Sequence, residues 1–200
     1  MKETPGWRQN VGARGEGRNA PVRAVFLVGF MGAGKTSVGR ALGGHLAWRF
    51  VDLDDRIRSL EGRSIPEIFQ NSGEGRFREL ERAALRDVLA EIDSGPPLVV
   101  ALGGGAFAQP EIVALLAESE SITIFLDAPP DELWRRCSAD RTQRPLRRNE
   151  AEFHHLYDAR RPLYLEASVK IETAGRNIDQ IVQEIVRGLK LNSRVSGEER

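Results

Sequence analysis

Along the chain, short runs of Val, Ile, Leu and Phe alternate with longer stretches in which apolar residues recur every three to four positions. The short runs are Ala24 to Val28, Arg49 to Leu53, Leu98 to Leu102, Ile122 to Leu126 and Val169 to Glu172. Strand-length segments alternating with helical ones predict an α/β fold, a five-stranded parallel sheet with helices on both faces. A helix is expected from Thr36 to Leu46 and a short one from Arg56 to Glu61. Ser64-Ile65-Pro66-Glu67 supplies an N-cap, a first-turn proline and a capping-box glutamate, so a helix should start there and run to about Gln70 before Gly73 breaks it. From Glu74 to Ile92, Phe77, Leu80, Ala84, Leu85, Val88 and Leu89 fall at helical spacing, which sets Arg78, Glu81 and Arg82 off the main apolar stripe.

The periodicity stops at both ends. Residues 1–22 are rich in Gly, Arg, Asn and Pro and should form a disordered N-terminal extension, residues 191–200 a flexible tail, and residues 23–190 one domain. A chain of 200 residues with 40% hydrophobic content can bury one substantial core. With 29 basic and 29 acidic residues the net charge is zero, which argues against nucleic acid or an acidic membrane as partner and makes any anion site local. No apolar stretch is long enough to span a bilayer, and Cys137 is the sole cysteine, so a cytoplasmic protein without an internal disulfide is expected. Beside Trp134 in a helical stretch, Cys137 reads as a packing residue rather than a reactive thiol.

The residues that carry chemistry begin with Gly29-Phe30-Met31-Gly32-Ala33-Gly34-Lys35-Thr36, which fits the phosphate-binding pattern G-x-x-x-x-G-K-[ST] between a predicted strand and a predicted helix. Glycines let the backbone N–H groups curl around phosphate oxygens, Lys35 brings charge to the outer phosphates, and the Thr36 hydroxyl is suited to Mg²⁺. Asp52 and Asp54 close the second strand and would share a side if the strand runs through both. That carboxyl edge is where open α/β sheets bind ligands. Asp52 could hold Mg²⁺ through water and Asp54 could take a substrate hydroxyl, although Asp54 or Asp55 could instead cap the following helix. The strand Leu98 to Leu102 has no acidic residue of the kind that usually holds Mg²⁺ there, which favours Asp52 for that role. It runs into Gly103-Gly104-Gly105, read as a close backbone approach to ligand or as a simple flexible turn. Arg141, Arg144, Arg147 and Arg148 crowd a polar stretch that has the make-up of a lid, with Arg147 and Arg148 assigned to solvent. His154 and His155 lack partners at metal-ligand spacing and read as residues of a surface helix.

Taken together, Gly29 to Arg40, Phe50-Val51-Asp52-Leu53-Asp54, Ser64 to Phe69, Gly73 to Glu81, Gly103 to Gly105, Arg144-Pro145-Leu146 and Arg160-Arg161-Pro162-Leu163-Tyr164 resemble shikimate kinase, in family order, over roughly residues 24–188. The resemblance implies the three-layer P-loop NTPase fold of nucleoside-monophosphate-kinase type, with strand order 2-3-1-4-5 and a lid. It also implies transfer of phosphate from ATP, with Mg²⁺, to the 3-hydroxyl of shikimate on the route to chorismate and the aromatic amino acids. Carried over by motif, Lys35, Asp54 and Arg144 would be catalytic, with Asp54 the candidate base. Gly32, Ala33, Gly34, Lys35, Thr36, Ser37, Arg144 and Arg176 would bind ATP, and Thr36 and Asp52 the metal. Arg78 and Arg160 would grip the shikimate carboxylate, with Asp54 and Gly103 to Gly105 completing that pocket, Glu81 orienting the arginines, and Arg141 a possible adenine contact. Arg160 and its neighbour Arg161 both fit the carboxylate role. A monomer is expected. The rival readings are another small-metabolite kinase of this fold, such as a gluconate or nucleoside monophosphate kinase, and a nucleotide-binding regulator without catalysis.

Overall fold

Backbone pairing begins within the expected N-terminal extension. The computed structural model describes residues 7–9, 22–139 and 149–191, and in it β1 (Trp7–Gln9) lies antiparallel to β6 (Val169–Glu172), with Arg8 opposite Lys170. β2 (Ala24–Val28), β3 (Arg49–Asp52), β4 (Leu98–Ala101) and β5 (Ile122–Asp127) complete one sheet in the order β1-β6-β5-β2-β4-β3. Its five parallel strands, numbered among themselves, give the expected order 2-3-1-4-5. The sixth strand was not foreseen. Its three residues carry no apolar run and are held by backbone bonds to an edge that would otherwise be open.

Among the described residues six α-helices connect the strands, α1 (Lys35–Leu46), α2 (Leu53–Glu61), α3 (Ile65–Ser94), α4 (Pro110–Glu118), α5 (Pro130–Ala139) and α6 (Glu150–Tyr164), and a seventh, α7 (Ile178–Gly188), follows the last strand. They cover both faces, which is why β2 and β4 are buried along their whole length. Phe26, Leu27, Val99, Val100, Ile124 and Leu126 form the centre of the core. Full burial of side chains this size contributes about 1.5 to 3 kcal/mol each. At position 39 of α1 only hydrogen fits, because a Cβ would run into the Phe50 ring. That contact draws α1 close to β3 and brings the helix start against the sheet edge.

Two expectations are corrected. β3 ends at Asp52 rather than Leu53, because the Asp52 side chain accepts from the N–H groups of Asp54 (3.1 Å) and Asp55 (3.4 Å) and so starts α2. Asp52 is therefore the N-cap, Asp54 and Asp55 lie in the first helical turn, and strand periodicity does not relate Asp52 to Asp54. Glu81 is the second correction. It sits four residues after Phe77 and four before Leu85, at the middle of the apolar stripe of α3, and is fully buried. Ser64 forms the expected capping box with Glu67, and Gly73 (φ 78°, ψ 171°) interrupts α3 as its position predicted.

Candidate active site

β2 ends in a loop that only particular backbone geometry can make. Gly32 (φ 80°) and Gly34 (φ 88°) occupy the left-handed region, and a Cβ on Gly32 would also meet Cys137 Sγ and the Leu133 carbonyl, each at 2.8 Å. Cys137 is buried, in keeping with its reading as a packing residue, and the structure places it beneath the loop. The loop opens onto the N-terminus of α1, where the first-turn N–H groups and the helix dipole favour an anion. Lys35 Nζ donates to the carbonyls of Gly29 (2.8 Å) and Phe30 (3.0 Å), which folds the lysine across the loop mouth. Thr36 Oγ1 donates to Asp52 Oδ2 at 2.7 Å, so one carboxylate both caps α2 and meets the hydroxyl at the start of α1.

Gly32, Ala33, Gly34, Lys35, Thr36, Ser37, Asp52, Asp54, Arg78, Gly103, Gly104, Gly105, Arg160 and Arg176 all line one cavity of about 950 Å³ at the carboxyl edge of the sheet. At its far end from Arg176, the three glycines after β4 are pressed between charged groups. A Cβ on Gly103 would stand 2.6 Å from Glu81 Oε1 and 2.8 Å from Asp54 Oδ1, and one on Gly105 would stand 2.8 Å from an Arg78 nitrogen. The segment is a close approach, not a loose turn. Gly104 lies next to the phosphate loop, its own Cβ position 3.5 Å from the Met31 nitrogen and 4.0 Å from Lys35 Nζ. Its carbonyl accepts from Arg160 (3.4 Å) and from the Tyr164 hydroxyl.

Arg78 is held from two sides. It donates to Glu81 Oε2 at 2.8 Å and to Glu74 Oε1 at 2.9 Å. Burial works against its charge, yet the two glutamates keep its pKa above the ordinary range. Glu81 Oε2 also accepts from Gln109 at 2.6 Å, whereas Glu81 Oε1 accepts no hydrogen bond from the described residues. Burial raises the pKa of Glu81, and Arg78 only partly offsets it. Arg160 and Arg161 part company here: Arg160 lines the cavity, while Arg161 turns away to Asp127 (2.8 Å). Burial pushes the Tyr164 hydroxyl up to about 12, so at neutral pH it acts as a donor.

The other end of the cavity holds a residue that sequence reasoning missed. Arg136 on α5 donates to the Gly32 carbonyl (3.5 Å) and the Thr173 carbonyl (3.2 Å) and pairs with Glu132. Its signal was the basic doublet Arg135-Arg136, one turn upstream of the arginine-rich stretch. Arg176 faces the same space, held by the carbonyls of Glu172 (2.9 Å) and Gln180 (3.1 Å) and by buried Glu184, with half-exposed Ile178 beside it. Two guanidinium planes and an aliphatic side chain make a surface on which a flat base can stack. Arg141, Arg144, Arg147, Arg148 and the expected lid lie outside the described residues. His154 is half-buried with Nε2 3.3 Å from Asp131, and His155 is exposed, away from the cavity.

The pattern of the family described as shikimate kinase matches residues 31–190. Among curated proteins, the chain is 38% identical over 165 residues to a shikimate kinase of Persephonella marina, covering 82% of this chain and 98% of that one. It is 45% identical over 168 residues to a shikimate kinase of Synechococcus sp. strain CC9605, covering 80% and 81%. Among solved structures, shikimate kinase from Acinetobacter baumannii in complex with shikimate superposes with a TM-score of 0.77 at 34% identity, covering 88% of this chain and 96% of that one.

Proposed function

The chain belongs to the shikimate kinase family, phosphotransferases that use ATP and Mg²⁺, and from that premise we propose how its own residues bind shikimate and carry phosphate to the 3-hydroxyl. The observation that carries the reading is the junction at Gly103 to Gly105, where Asp54, Arg78, Glu81 and Lys35 converge on one stretch of bare backbone. A carboxylate placed there meets Arg78 and Arg160, planar guanidinium groups that suit paired oxygens. With its acid end so held, the ring lies against Gly104 and turns a hydroxyl toward Asp54 and the phosphate loop.

Gly32 to Ser37 wrap the triphosphate, and Lys35 exchanges its bonds to Gly29 and Phe30 for the transferring phosphoryl group. Arg136 and Arg176 flank the base. Thr36 and Asp52 fit Mg²⁺: both offer hard oxygens at the cavity wall, and Mg²⁺ takes one or two side chains together with phosphate and water rather than a full protein cage. Among the described residues no cluster of three or more His, Cys, Asp or Glu offers such a cage. Mg²⁺, when bound, supplies neutralising charge to the phosphate oxygens. Phosphoryl transfer has a loose transition state, so alignment by the two arginines and charge from Lys35 outweigh proton removal. Asp54 receives the hydroxyl proton as the new P–O bond forms and ADP leaves. Arg144, carried over from the family motif, is proposed to add charge from the lid.

The reading includes a catalytic unit of residues 23–190 acting as a cytoplasmic monomer on a small molecule, without nucleic acid or membrane. Among the described residues no helix is long and apolar enough to cross a membrane. The test is ADP release from ATP and Mg²⁺ with shikimate, gluconate or a nucleoside monophosphate as acceptor. Release with shikimate alone is expected. Preference for another acceptor would reassign the substrate, and ATP binding without acceptor-dependent release would remove catalysis.

A further inference from the structure

Asp127 is a buried carboxylate outside the cavity lining, and nothing in the reaction above uses it. It ends β5, next to the strand that feeds the phosphate loop, and is 6% exposed. Three donors converge on its side chain: the Tyr157 hydroxyl on Oδ1 at 3.1 Å, with Arg161 (2.8 Å) and Lys170 (3.2 Å) on Oδ2. Lys170 comes from β6, but Tyr157 and Arg161 are one helical turn apart on α6. The next face of the same helix carries a second pair at the same spacing, Arg160 and Tyr164, and both of these donate to the carbonyl of Gly104.

We propose that Asp127 is a positioning residue for the carboxylate-binding end of the site: by holding Tyr157 and Arg161 it sets the rotation of α6, so that Arg160 and Tyr164 meet Gly104. The inference rests on the functional reading above. Adjacent arginines lie about 100° apart around a helix, so a single rotation decides which of them faces the cavity. Drawing Arg161 to Asp127 fixes that choice. The arrangement at Gly104 then follows, since Tyr164 is wedged by its stack on Phe125 (centroids 5.3 Å apart) and cannot follow a turned helix without losing that contact. The nucleotide end is tied differently. Thr173, which leads to Arg176, bonds through its N–H (2.8 Å) and hydroxyl (3.1 Å) to the backbone carbonyl of Asp127, which no side-chain substitution removes.

The experiment is steady-state kinetics on the full chain with Asp127→Asn, Arg161→Gln and Arg161→Lys, varying shikimate and ATP separately. Asp127→Asn keeps the shape and removes the charge. It should raise KM for shikimate about tenfold while KM for ATP stays within about twofold, because Arg160 and Tyr164 leave Gly104 whereas Arg136 and Arg176, which are not on α6, keep their carbonyl partners. Arg161→Gln, at a half-exposed position that does not endanger folding, should shift KM in the same direction, and Arg161→Lys should restore it toward wild type. If Asp127→Asn does not fold, Arg161→Gln decides alone. No change in KM for shikimate, or an equal rise for both substrates, would overturn the proposal. A wild-type protein silent with shikimate would fail the functional reading itself, and the positioning role with it.

Discussion

Replacing Glu81 by Gln separates what this side chain does for the fold from what it does for the site. The carboxylate is fully buried, accepts from Arg78 at 2.8 Å and Gln109 at 2.6 Å, and has one oxygen without a hydrogen bond from the described residues. A hydrogen bond to a charged group contributes about 1.5 to 3 kcal/mol, and Gln still offers the guanidinium such a bond but without an opposing charge, so the swap moves the hold on Arg78 from the upper to the lower end of that range, a loss of about 1 to 2 kcal/mol. If Arg78 must be aligned before the substrate acid binds, KM for shikimate rises about five- to thirtyfold. Stability should fall by less than the roughly 3 to 5 kcal/mol of a broken buried pair, because Arg78 keeps its bond to Glu74 at 2.9 Å and the substitution removes a buried charge whose desolvation already opposed the native state. The assay pairs a thermal melt with KM for shikimate and for ATP, each measured at saturating concentration of the other. A melt within a few degrees of wild type with the shift confined to shikimate is expected. Equal shifts for both substrates, or a collapsed melt with unchanged KM, would refute the reasoning.

Lys35→Ala should lower kcat by about 10²- to 10³-fold or more with the melt preserved, because the amine serves the transferring phosphoryl group; activity within tenfold of wild type would remove it from that role. Gly103→Ala should disable the shikimate end specifically, since its Cβ would press on the carboxylates of Asp54 and Glu81; normal KM for shikimate would contradict the close approach. The pH profile carries a sign. Native Glu81 binds its proton more tightly than the unfolded chain, so its contribution to stability falls as pH rises from about 4.5 through its raised native pKa. Its hold on Arg78 needs the ionised form, so KM for shikimate should climb as pH drops through that raised value, a climb that Glu81→Gln should flatten.

Local signals carried most of the fold. The phosphate loop, the capping box at Ser64, the kink at Gly73 and the five parallel strands all depend on residues within a few positions of each other, and each was legible. β1 was not, because backbone pairing to an edge leaves no mark on side-chain pattern. Asp52 was misread because a strand-ending aspartate and a helix cap look alike until the next two N–H groups are placed. Glu81 was misread for a different reason. Its spacing from Phe77 and Leu85 put it inside the apolar stripe, and a charge there should itself have marked a buried partner. The choice between Arg160 and Arg161 was beyond local reading, since Asp127 decides it from 34 positions away. Arg136 belongs to the same class: its carbonyl partners at Gly32 and Thr173 come from opposite ends of the domain.

The central claim is that Arg78 and Arg160, across the glycine segment from the phosphate loop, grip a free carboxylate and so align the hydroxyl for transfer. The most direct measurement is ADP release with shikimate against its methyl ester, at matched concentrations of acceptor, ATP and Mg²⁺. The free acid should turn over and the ester, with its charge removed and its shape nearly kept, should lose at least about tenfold in kcat/KM. Equal turnover of acid and ester would contradict the account.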